Sequence, residues 1–438
     1  MKNSVIDLTT NTGGIISPNP FWLASAPPTN MGAMIERAFE VGWGGAVWKT
    51  IGQPIVNVSS RLATLDYRGS KMIGLNNIEL ITDRPIETNF KEIEQCKKRF
   101  PKHAVIASLM VESKRDAWHE IVKRTNDSGA DGIELNFGCP HGMSERGMGS
   151  AMGQVPEYTC MVTEWVKEVA KVPVLVKLTP NVGSILPPGR AAVKGGADGL
   201  SLINTINSVM GVDVDTFQPI PNVNGSAAHG GYCGPAVKPI ALNMVGELAR
   251  DKDTKHIPIS GIGGVETWRD AVEFMLLGST SVQVCTAVMH YGYRIVEDLI
   301  DGLTNYLREK GMTSPKQLVG KSSAQVTDWG NLDMNYKVLA RVDKDKCINC
   351  NLCFVACDDG AHQAIKLVPD AARGGKAYPE IVDEECVGCN LCSLVCPAPG
   401  CISMVRMDGE TQKLSWREVQ EKGIQIKPGH ANKNIERS

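Results

Sequence analysis

Cysteine spacing constrains this chain more than any other feature. Eight of its 14 cysteines fall between Cys347 and Cys396, in two runs with the same spacing. The other six are scattered, at positions 96, 139, 160, 233, 285 and 401. Residues 1–10 lack the positive region and apolar stretch of a signal peptide, so we expect a cytoplasmic protein with reduced thiols. Clustered thiols in a reducing compartment favour metal ligation over a disulfide framework.

Each run has the spacing C-x2-C-x2-C-x3-C, and Pro397 follows the second run. This spacing is typical of proteins that bind two [4Fe–4S] clusters, in which the fourth cysteine of each run reaches the other cluster. We therefore predict one cluster on Cys347, Cys350, Cys353 and Cys396, and a second on Cys386, Cys389, Cys392 and Cys357. Zinc also takes four thiolates, but its cysteine pairs are usually separated by a long gap.

The region from residue 5 to residue 310 alternates short runs of Val, Ile and Leu with amphipathic stretches, a pattern typical of repeated βα units. Eight units predict an α/β fold, a (β/α)8 barrel, preceded by a hairpin that turns at 11–14; a doubly wound open sheet is the alternative. The predicted strands are residues 22–26, 46–50, 104–110, 132–137, 174–178, 199–204, 257–261 and 281–286. The predicted helices include residues 31–41, 118–125, 157–169, 239–250 and 268–277.

Composition shifts divide the chain further. We expect the barrel in residues 1–310, a polar linker in 311–340, a small α+β ferredoxin-like domain with two [4Fe–4S] clusters in 341–405, and a polar tail in 406–438. Lys and Arg number 46 against 48 Asp and Glu, a net charge of −2, with no long run of either sign. This balance argues against a nucleic-acid-binding protein, and no apolar window is long enough to predict a membrane span.

Two loops at the expected C-terminal face of the barrel are candidates for binding a cofactor phosphate. Gly263 and Gly264 follow the seventh strand, and Cys285 and Thr286 follow the eighth. Backbone N–H groups of these two loops commonly bind phosphate in such barrels, although a plain glycine turn is the alternative. No G-x-G-x-x-G or Walker A motif occurs, so a dinucleotide-binding domain is not evident. Because iron–sulfur clusters move single electrons, a cofactor that also handles hydride is needed, and FMN does both.

Two lysines, Lys49 and Lys177, lie at the ends of the second and fifth predicted strands, and Thr50 and Thr179 follow within two residues. A lysine at the C-terminal end of a barrel strand points toward the active site and needs an anionic partner when buried. The negative charge of reduced flavin near N1 and C2=O is such a partner. The alternative is that each side chain extends to solvent at the rim.

Amide and hydroxyl side chains at the barrel mouth complement a pyrimidine ring, which alternates N–H and C=O groups; singly, such asparagines also form turns. These candidates are Asn77, Asn136, Asn204 and Thr205. Cys139 follows the fourth strand in a glycine-rich loop, and a thiol that is protonated at neutral pH is a candidate general acid. Inert packing is the alternative for Cys139, and His141 is expected to be an ordinary loop residue.

Several segments of the barrel form a recognisable set. They are Ala24-Ser25-Ala26-Pro27, Asn77-Ile78-Glu79-Leu80, Glu134 to Met143, Lys177-Leu178-Thr179-Pro180-Asn181, Asn204-Thr205 and Gly261-Ile262-Gly263-Gly264. Together with the two-cluster module they resemble the dihydropyrimidine dehydrogenase family over roughly residues 18–405. The Cys-Pro-His-Gly-Met segment at 139–143 is the most specific part, whereas Phe137 and Gly138 differ from the residues expected there in animal relatives.

The resemblance implies reversible reduction of uracil or thymine to the 5,6-dihydro compound, as in pyrimidine degradation. Cys139 would protonate C5 while FMN N5 delivers hydride to C6, and the pyrimidine would be held by Asn77, Asn136, Asn204 and Thr205. The residues implied to bind FMN are Ala24, Ser25, Lys49, Thr50, Asn77, Asn136, Lys177, Asn204, Gly234, Gly263, Gly264, Cys285 and Thr286.

The resemblance also implies a partner. NADH would be oxidised on an FAD-binding flavoprotein subunit, and electrons would pass through the two clusters to FMN. Two alternatives remain open at this point. One is a dihydroorotate dehydrogenase-like enzyme, and the other is a non-catalytic electron-transfer subunit whose barrel is only a scaffold.

Overall fold

The computed structural model describes residues 6–55, 61–140, 147–332, 336–371, 374–410 and 421–423. The chain divides into two compact units, Met1–Val326 and Thr327–Ser438. Residues 311–326 therefore belong to the first unit and not to the linker expected over 311–340. The reason is packing: Leu318 is buried in the core of the first unit, and the N–H of Gly320 donates to the carbonyl of Met275 at 2.9 Å.

The strands of the first unit build a closed parallel barrel with small additions. In chain order they are β1 (Thr10–Thr12), β2 (Ile15–Ser17), β3 (Phe21–Leu23), β4 (Gly45–Val47), β5 (Leu62–Tyr67), β6 (Ser70–Asn77), β7 (Ala104–Leu109), β8 (Gly132–Asn136), β9 (Val174–Lys177), β10 (Gly199–Leu202), β11 (Ile206–Ser208), β12 (Gly211–Val212), β13 (Pro219–Ile220), β14 (Gly230–Cys233), β15 (Ile259–Ile262) and β16 (Ser279–Val284). The barrel strands are β3, β4, β7, β8, β9, β10, β15 and β16, and pairing of β16 with β3 closes the ring. The predicted barrel is confirmed, and the open sheet is excluded.

Helices surround the barrel strands. They are α1 (Gly32–Glu40), α2 (Ile86–Arg99), α3 (Arg115–Asp127), α4 (Ser150–Gly153), α5 (Pro156–Lys167), α6 (Leu186–Lys194), α7 (Lys238–Arg250), α8 (Trp268–Leu276), α9 (Thr286–Tyr291) and α10 (Ile295–Glu309). Helix α10 shows the governing pattern, because it buries Val296, Leu299, Leu303 and Leu307 at helical spacing. None of the helices in the described part of the chain combines the length and apolar character needed to cross a bilayer.

The hairpin β1–β2 lies against the N-terminal ends of the barrel strands, and it turns at Gly13 and Gly14 as predicted. Gly13 has φ +65°, and a Cβ there would lie 2.5 Å from the carbonyl oxygen of Asp198, directly before β10. Thr12 donates a hydrogen bond to Ser281 of β16 at 3.0 Å. The hairpin therefore contacts this end of the barrel and leaves the C-terminal face for a site.

The long connections after β4 and β10 contain a second sheet, which the sequence patterns did not predict. Its strands are antiparallel in the order β11-β14-β6-β5. The register places Asn77 of β6 opposite Gly231 of β14. We call this four-stranded sheet the cap sheet, and it places Asn77 and Gly234 next to the ends of the barrel strands.

The second unit is α+β. Its elements are β17 (Tyr336–Val342), α11 (Leu352–Gly360), β18 (Ile365–Asp370), β19 (Lys376–Ile381), α12 (Leu391–Leu394) and β20 (Ile402–Glu410). Strand β17 pairs antiparallel with β20, and β18 with β19. Its small core includes Ala340, Ile365, Ile402 and three cysteines, Cys353, Cys392 and Cys401. Strand β20 extends past residue 405, where the polar tail was expected to begin.

Candidate active site

A cavity opens at the C-terminal ends of the barrel strands, beside the cap sheet. The space between its atoms, including the open mouth, is about 1110 Å³. Every residue predicted to bind FMN or the pyrimidine, or to donate the proton, lines it: Ala24, Ser25, Lys49, Thr50, Asn77, Asn136, Cys139, Lys177, Asn204, Thr205, Gly234, Gly263, Gly264, Cys285 and Thr286. His141 lies outside the described residues. The fold therefore brings together residues from seven barrel loops or strand ends and from the cap sheet.

A chain of hydrogen bonds links three polar side chains on different strand ends. The Asn136 amide donates to Thr50 Oγ1 at 2.9 Å, and the Asn204 amide donates to Asn136 Oδ1 at 2.9 Å. Asn204 Oδ1 in turn accepts from the N–H of Thr205 at 2.9 Å. Each amide group uses one of its two N–H bonds in this chain, so each has a second N–H for a ligand. The orientation of both amides is fixed before any ligand binds.

Cys139 lies three residues beyond the end of β8 and is 8% exposed. Its backbone carbonyl accepts from the N–H of Ser150 at 2.9 Å, and a Cβ at Gly149 would lie 3.1 Å from Cys139 Cβ. The side chain packs with Ile81 and Met110 and also lines the cavity. The thiol therefore lies in an apolar corner of the same cavity as the hydrogen-bonded amides.

Lys49 and Lys177 are both nearly buried, and each has a carboxylate beside it. Lys49 Nζ lies 2.5 Å from Glu79 Oε1, while Arg61 Nε lies 2.5 Å from Glu79 Oε2. Lys177 Nζ lies 3.4 Å from Glu134 Oε1. Neither lysine side chain extends to solvent at the rim, since the two are only 9% and 6% exposed. The two ammonium groups therefore belong to the cavity wall.

Sequence reasoning assigned no role to Glu79, Glu134 or Gln283. Glu79 and Gln283 line the cavity, and Gln283 Oε1 is buried without a hydrogen-bond partner among the described residues. The signal for Gln283 and Glu134 was present, because each is a large polar residue inside an otherwise buried strand. Glu79 stood within the recognised segment that begins at Asn77.

The glycines of the cavity fit a bound phosphate. Gly234, Gly263 and Gly264 have φ of +94°, +123° and +78°, a region that favours glycine. A Cβ on Gly264 would lie 2.8 Å from Lys238 Cβ and 3.0 Å from the Gly234 carbonyl oxygen. Close-packed loops without side chains expose backbone N–H groups, the donors that bind phosphate. Lys177, a donor, and Gln283 Oε1, an acceptor without a partner among the described residues, line the same cavity, and with these N–H groups they fit the polar atoms of FMN.

Two further thiols line the cavity. Burial raises the pKa of Cys233 to about 11, and burial also raises the pKa of Cys285. Thr286 donates its hydroxyl proton to Cys233 Sγ at 3.3 Å. Both thiols are therefore neutral at physiological pH and contribute no anion to the cavity.

The cysteine-rich unit brings its eight ligand candidates together in two groups. One small cavity is lined by Cys347, Cys350, Cys353 and Cys396, and another by Cys357, Cys386, Cys389 and Cys392. The two loops have matching backbones: Asn349 and Gly388 have φ of +59° and +70°, and Asn351 and Asn390 have φ of +60° and +70°. The grouping agrees with the exchange of the fourth cysteine between the two runs. In the described part of the chain, no three His, Cys, Asp or Glu side chains lie close enough to hold a single metal ion.

Comparison with known proteins adds the family. The model of the dihydroorotate dehydrogenase family matches residues 8–307, and that of the 4Fe-4S dicluster domain matches residues 340–404. The chain is 42% identical over 361 residues to the NAD-dependent dihydropyrimidine dehydrogenase subunit PreA of Escherichia coli K12, covering 82% of this chain and 87% of that protein. The chain belongs to the dihydropyrimidine dehydrogenase family. These matches confirm the resemblance inferred from the sequence motifs. They also identify the cysteine-rich region as a 4Fe-4S dicluster domain.

Two other relatives show how widely the barrel is shared. A chloroplastic dihydropyrimidine dehydrogenase (NADP(+)) of Arabidopsis thaliana is 43% identical over 327 residues, covering 72% of this chain and 77% of the plant protein. The catalytic subunit of dihydroorotate dehydrogenase B (NAD(+)) of Pyrococcus abyssi is 38% identical over 315 residues, which is 72% of this chain and 98% of that subunit. Membership of the dihydropyrimidine dehydrogenase family therefore fixes the barrel and the reaction class, dehydrogenation.

Proposed function

We propose that this chain is the catalytic subunit of an NAD-dependent dihydropyrimidine dehydrogenase that reduces uracil or thymine to the 5,6-dihydro compound. One observation carries the proposal. Cys139 lies in the same cavity as the hydrogen-bonded side chains of Thr50, Asn136 and Asn204. A thiol beside oriented amides suits a neutral ring that needs both hydrogen bonds and a proton. The relatives named above as dihydropyrimidine dehydrogenases support the same substrate class.

In this proposal the Cys139 thiol is the general acid that donates a proton to C5 of the pyrimidine. Asn77, Asn136, Asn204 and Thr205 bind the ring, and their positions on the cap sheet and at the ends of β8 and β10 allow contacts from two sides. The Asn77 amide is itself oriented, because it donates to the Gly231 carbonyl at 2.9 Å. Burial of Cys139 excludes water, so the thiol transfers its proton to the ring and not to solvent.

FMN is the cofactor that we place in the remaining part of the cavity, where it would supply hydride to C6 of the substrate. Gly234, Gly263 and Gly264 bind its phosphate through backbone N–H groups. Lys49, Lys177 and Thr286 line the same wall, with the other implied contacts Ala24, Ser25 and Cys285. The cavity has the size expected of a cofactor site, and the family is one of flavin enzymes.

Electrons reach the barrel through the two [4Fe–4S] clusters from a partner subunit in this proposal. The described residues form no dinucleotide-binding domain, and the relative from Escherichia coli is named as a subunit. The partner is therefore an FAD- and NADH-binding flavoprotein of the PreT type in a hetero-oligomer. We place the complex in the cytoplasm, where cluster thiolates and free cysteines stay reduced.

The test is anaerobic and uses the full chain purified alone. After iron, sulfide and FMN are quantified, dihydrouracil is added and the visible absorbance of the flavin is followed. We expect bleaching in the wild type and, in Cys139→Ala, a rate lower by about 10²–10⁴-fold, the usual contribution of a general acid or base. Cys160→Ala is the matched control, because Cys160 lies on α5 and does not line the cavity.

Three results would contradict parts of the proposal. Rapid bleaching in Cys139→Ala would remove Cys139 as the proton donor and leave that role to another group of the cavity. Bleaching by dihydroorotate instead of dihydrouracil would favour the dihydroorotate dehydrogenase reaction. Rapid NADH-driven uracil reduction by this chain alone would remove the need for a flavoprotein partner.

A further inference from the structure

Glu134 is an ionisable side chain inside the barrel that the proposed reaction does not use. It lies in the middle of β8 and is 0% exposed. Its Oε2 accepts two hydrogen bonds at 2.9 Å, one from the Ser201 hydroxyl and one from the Gln283 amide. A buried carboxylate is costly unless it is paired and hydrogen-bonded, so this arrangement needs a reason beyond packing.

The partner of Glu134 is the Lys177 ammonium. Lys177 ends β9, the strand next to β8, and its Nζ lies 3.4 Å from Glu134 Oε1. The lysine lines the cavity, whereas Glu134 lies behind it in the barrel interior. This differs from Lys49, whose partner Glu79 lines the cavity itself. At 3.4 Å the pair is too long for a strong hydrogen bond, so the ammonium keeps its donors for a ligand in front of it.

A polar network fixes the carboxylate from behind. Gln283 Nε2 also donates to Ser260 Oγ at 3.3 Å, Ser281 donates to Ser260 at 3.0 Å, and Thr12 of the hairpin donates to Ser281 at 3.0 Å. The Gln283 amide nitrogen therefore points to Glu134 and Ser260 in the barrel interior, and its Oε1 accepts from neither of them. The carboxylate of Glu134 is held at a defined place instead of turning toward solvent.

We propose that Glu134 is a positioning residue that holds Lys177 and offsets its charge in the wall of the cavity. This rests on the proposed FMN site. With the carboxylate present, the pair is neutral overall, so Lys177 stabilises the reduced flavin only moderately. Without it, one uncompensated positive charge remains in a water-excluded wall, where Coulomb interactions are strong. Glu134 would therefore keep the potential of bound FMN lower than Lys177 alone would set it.

The experiment measures the midpoint potential of FMN in the full chain. Glu134→Gln removes the charge and keeps the shape. We expect its affinity ratio for reduced over oxidised FMN to rise at least tenfold, a positive shift of about 30 mV for a two-electron couple. Ser260→Ala is the matched control, since it alters the same network without touching a charge, and we expect less than a threefold change. An unchanged potential in Glu134→Gln would overturn the inference.

A second pair of variants tests whether Glu134 acts through Lys177. In a Lys177→Met background, Glu134 has no ammonium to hold or offset, so we expect Glu134→Gln to add a smaller shift than it does beside Lys177. An equal shift in both backgrounds would overturn the positioning role. If Glu134→Gln does not fold, Ser201→Ala takes its place, because loss of one donor to Oε2 leaves the carboxylate less firmly fixed behind Lys177. We then expect a smaller positive shift, and its absence would also overturn the inference.

The result separates this inference from the proposed function. A wild-type chain that contains no FMN and takes up none from solution overturns both. FMN bound in the wild type, with the same potential in every variant, overturns the role of Glu134 alone.

Discussion

The substitution Gly264→Ala tests whether the loop that contains Gly263 and Gly264 binds the phosphate of FMN. Gly264 has φ +78°, and a Cβ there would lie 2.8 Å from Lys238 Cβ and 3.0 Å from the Gly234 carbonyl oxygen. A left-handed backbone costs an alanine roughly 1–2 kcal/mol, and overpacking costs typically ~1–3 kcal/mol. The two costs together are roughly 2–5 kcal/mol. The loop relieves this strain by a backbone shift that moves its N–H groups away from the phosphate.

The expected result is loss of FMN with the barrel intact. Since each 1.4 kcal/mol is about tenfold in affinity, even the lower part of that range predicts at least tenfold weaker FMN binding. The assay is fluorescence titration of FMN into the deflavinated chain, with far-ultraviolet circular dichroism to check the fold. Only the affinity for FMN, and not the iron content of the clusters, is expected to change.

Gly311→Ala is the matched control for backbone strain. Gly311 has φ +67°, and a Cβ there meets no atom within 4 Å. Its alanine variant therefore has the conformational cost without the overlap, at a position outside the cavity. If both variants bind FMN as the wild type does, the assignment of the phosphate to this loop is refuted. If both lose FMN equally, global destabilisation and not the loop geometry is the cause.

Three further outcomes are expected. Gly388→Ala, whose Cβ would lie 2.5 Å from a backbone carbonyl oxygen, lowers the iron and sulfide content of the purified chain, whereas Gly374→Ala, with φ +67° and open space, does not. Leu318→Ala lowers the free energy of unfolding of the first unit by about 2–5 kcal/mol in chemical denaturation, because Leu318 is 1% exposed. An effect below about 0.5 kcal/mol would show that Leu318 belongs to a linker and not to the core. The side-chain hydrogen bond from Arg84 lowers the pKa of Glu92 in the folded protein. The Glu92 carboxylate therefore stabilises the fold fully above its unfolded pKa of about 4.3, and this stabilisation is lost as the pH falls through the lower folded pKa. Glu92→Gln is therefore destabilising by about 1–2 kcal/mol at pH 7, and its difference from wild type in thermal unfolding shrinks below pH ~4; a constant difference would contradict this.

The barrel was predictable because its signal is local. Each strand is a short buried run, and every predicted strand overlaps an observed one. The ends differ by one to three residues, as at β4, which ends at Val47 and not at 50. There Trp48 leaves the regular ladder but still donates its N–H to the Ile106 carbonyl at 2.8 Å. Strand ends in a barrel are set by such neighbours, which the sequence of one segment does not contain.

The cap sheet was missed for the opposite reason. Strands β5 and β6 form a local hairpin, but β6 and β14 pair segments far apart in the chain, as Asn77 with Gly231, and β6, β11 and β14 are rich in Gly, Asn and Ser. Such segments have low strand propensity, and only the partner strand supplies their hydrogen bonds. Sequence motifs still located Asn77, since it stands in a recognised segment. The contacts of Glu134 with Ser201 and Gln283 had no motif and needed the closed barrel.

The shared barrel does not by itself select the substrate. The dihydroorotate dehydrogenase B subunit matches this chain over 98% of its own length, so the difference between a neutral and a carboxylated pyrimidine lies in the side chains that line the cavity. Here Lys49 and Lys177, the two buried lysines of the cavity wall, each have a carboxylate beside them, Glu79 and Glu134. An anionic substrate would therefore meet ammonium charges that these carboxylates already offset. A neutral ring needs only the amide, hydroxyl and thiol groups of the same cavity, and this supports the proposed reduction of uracil or thymine over a dihydroorotate reaction.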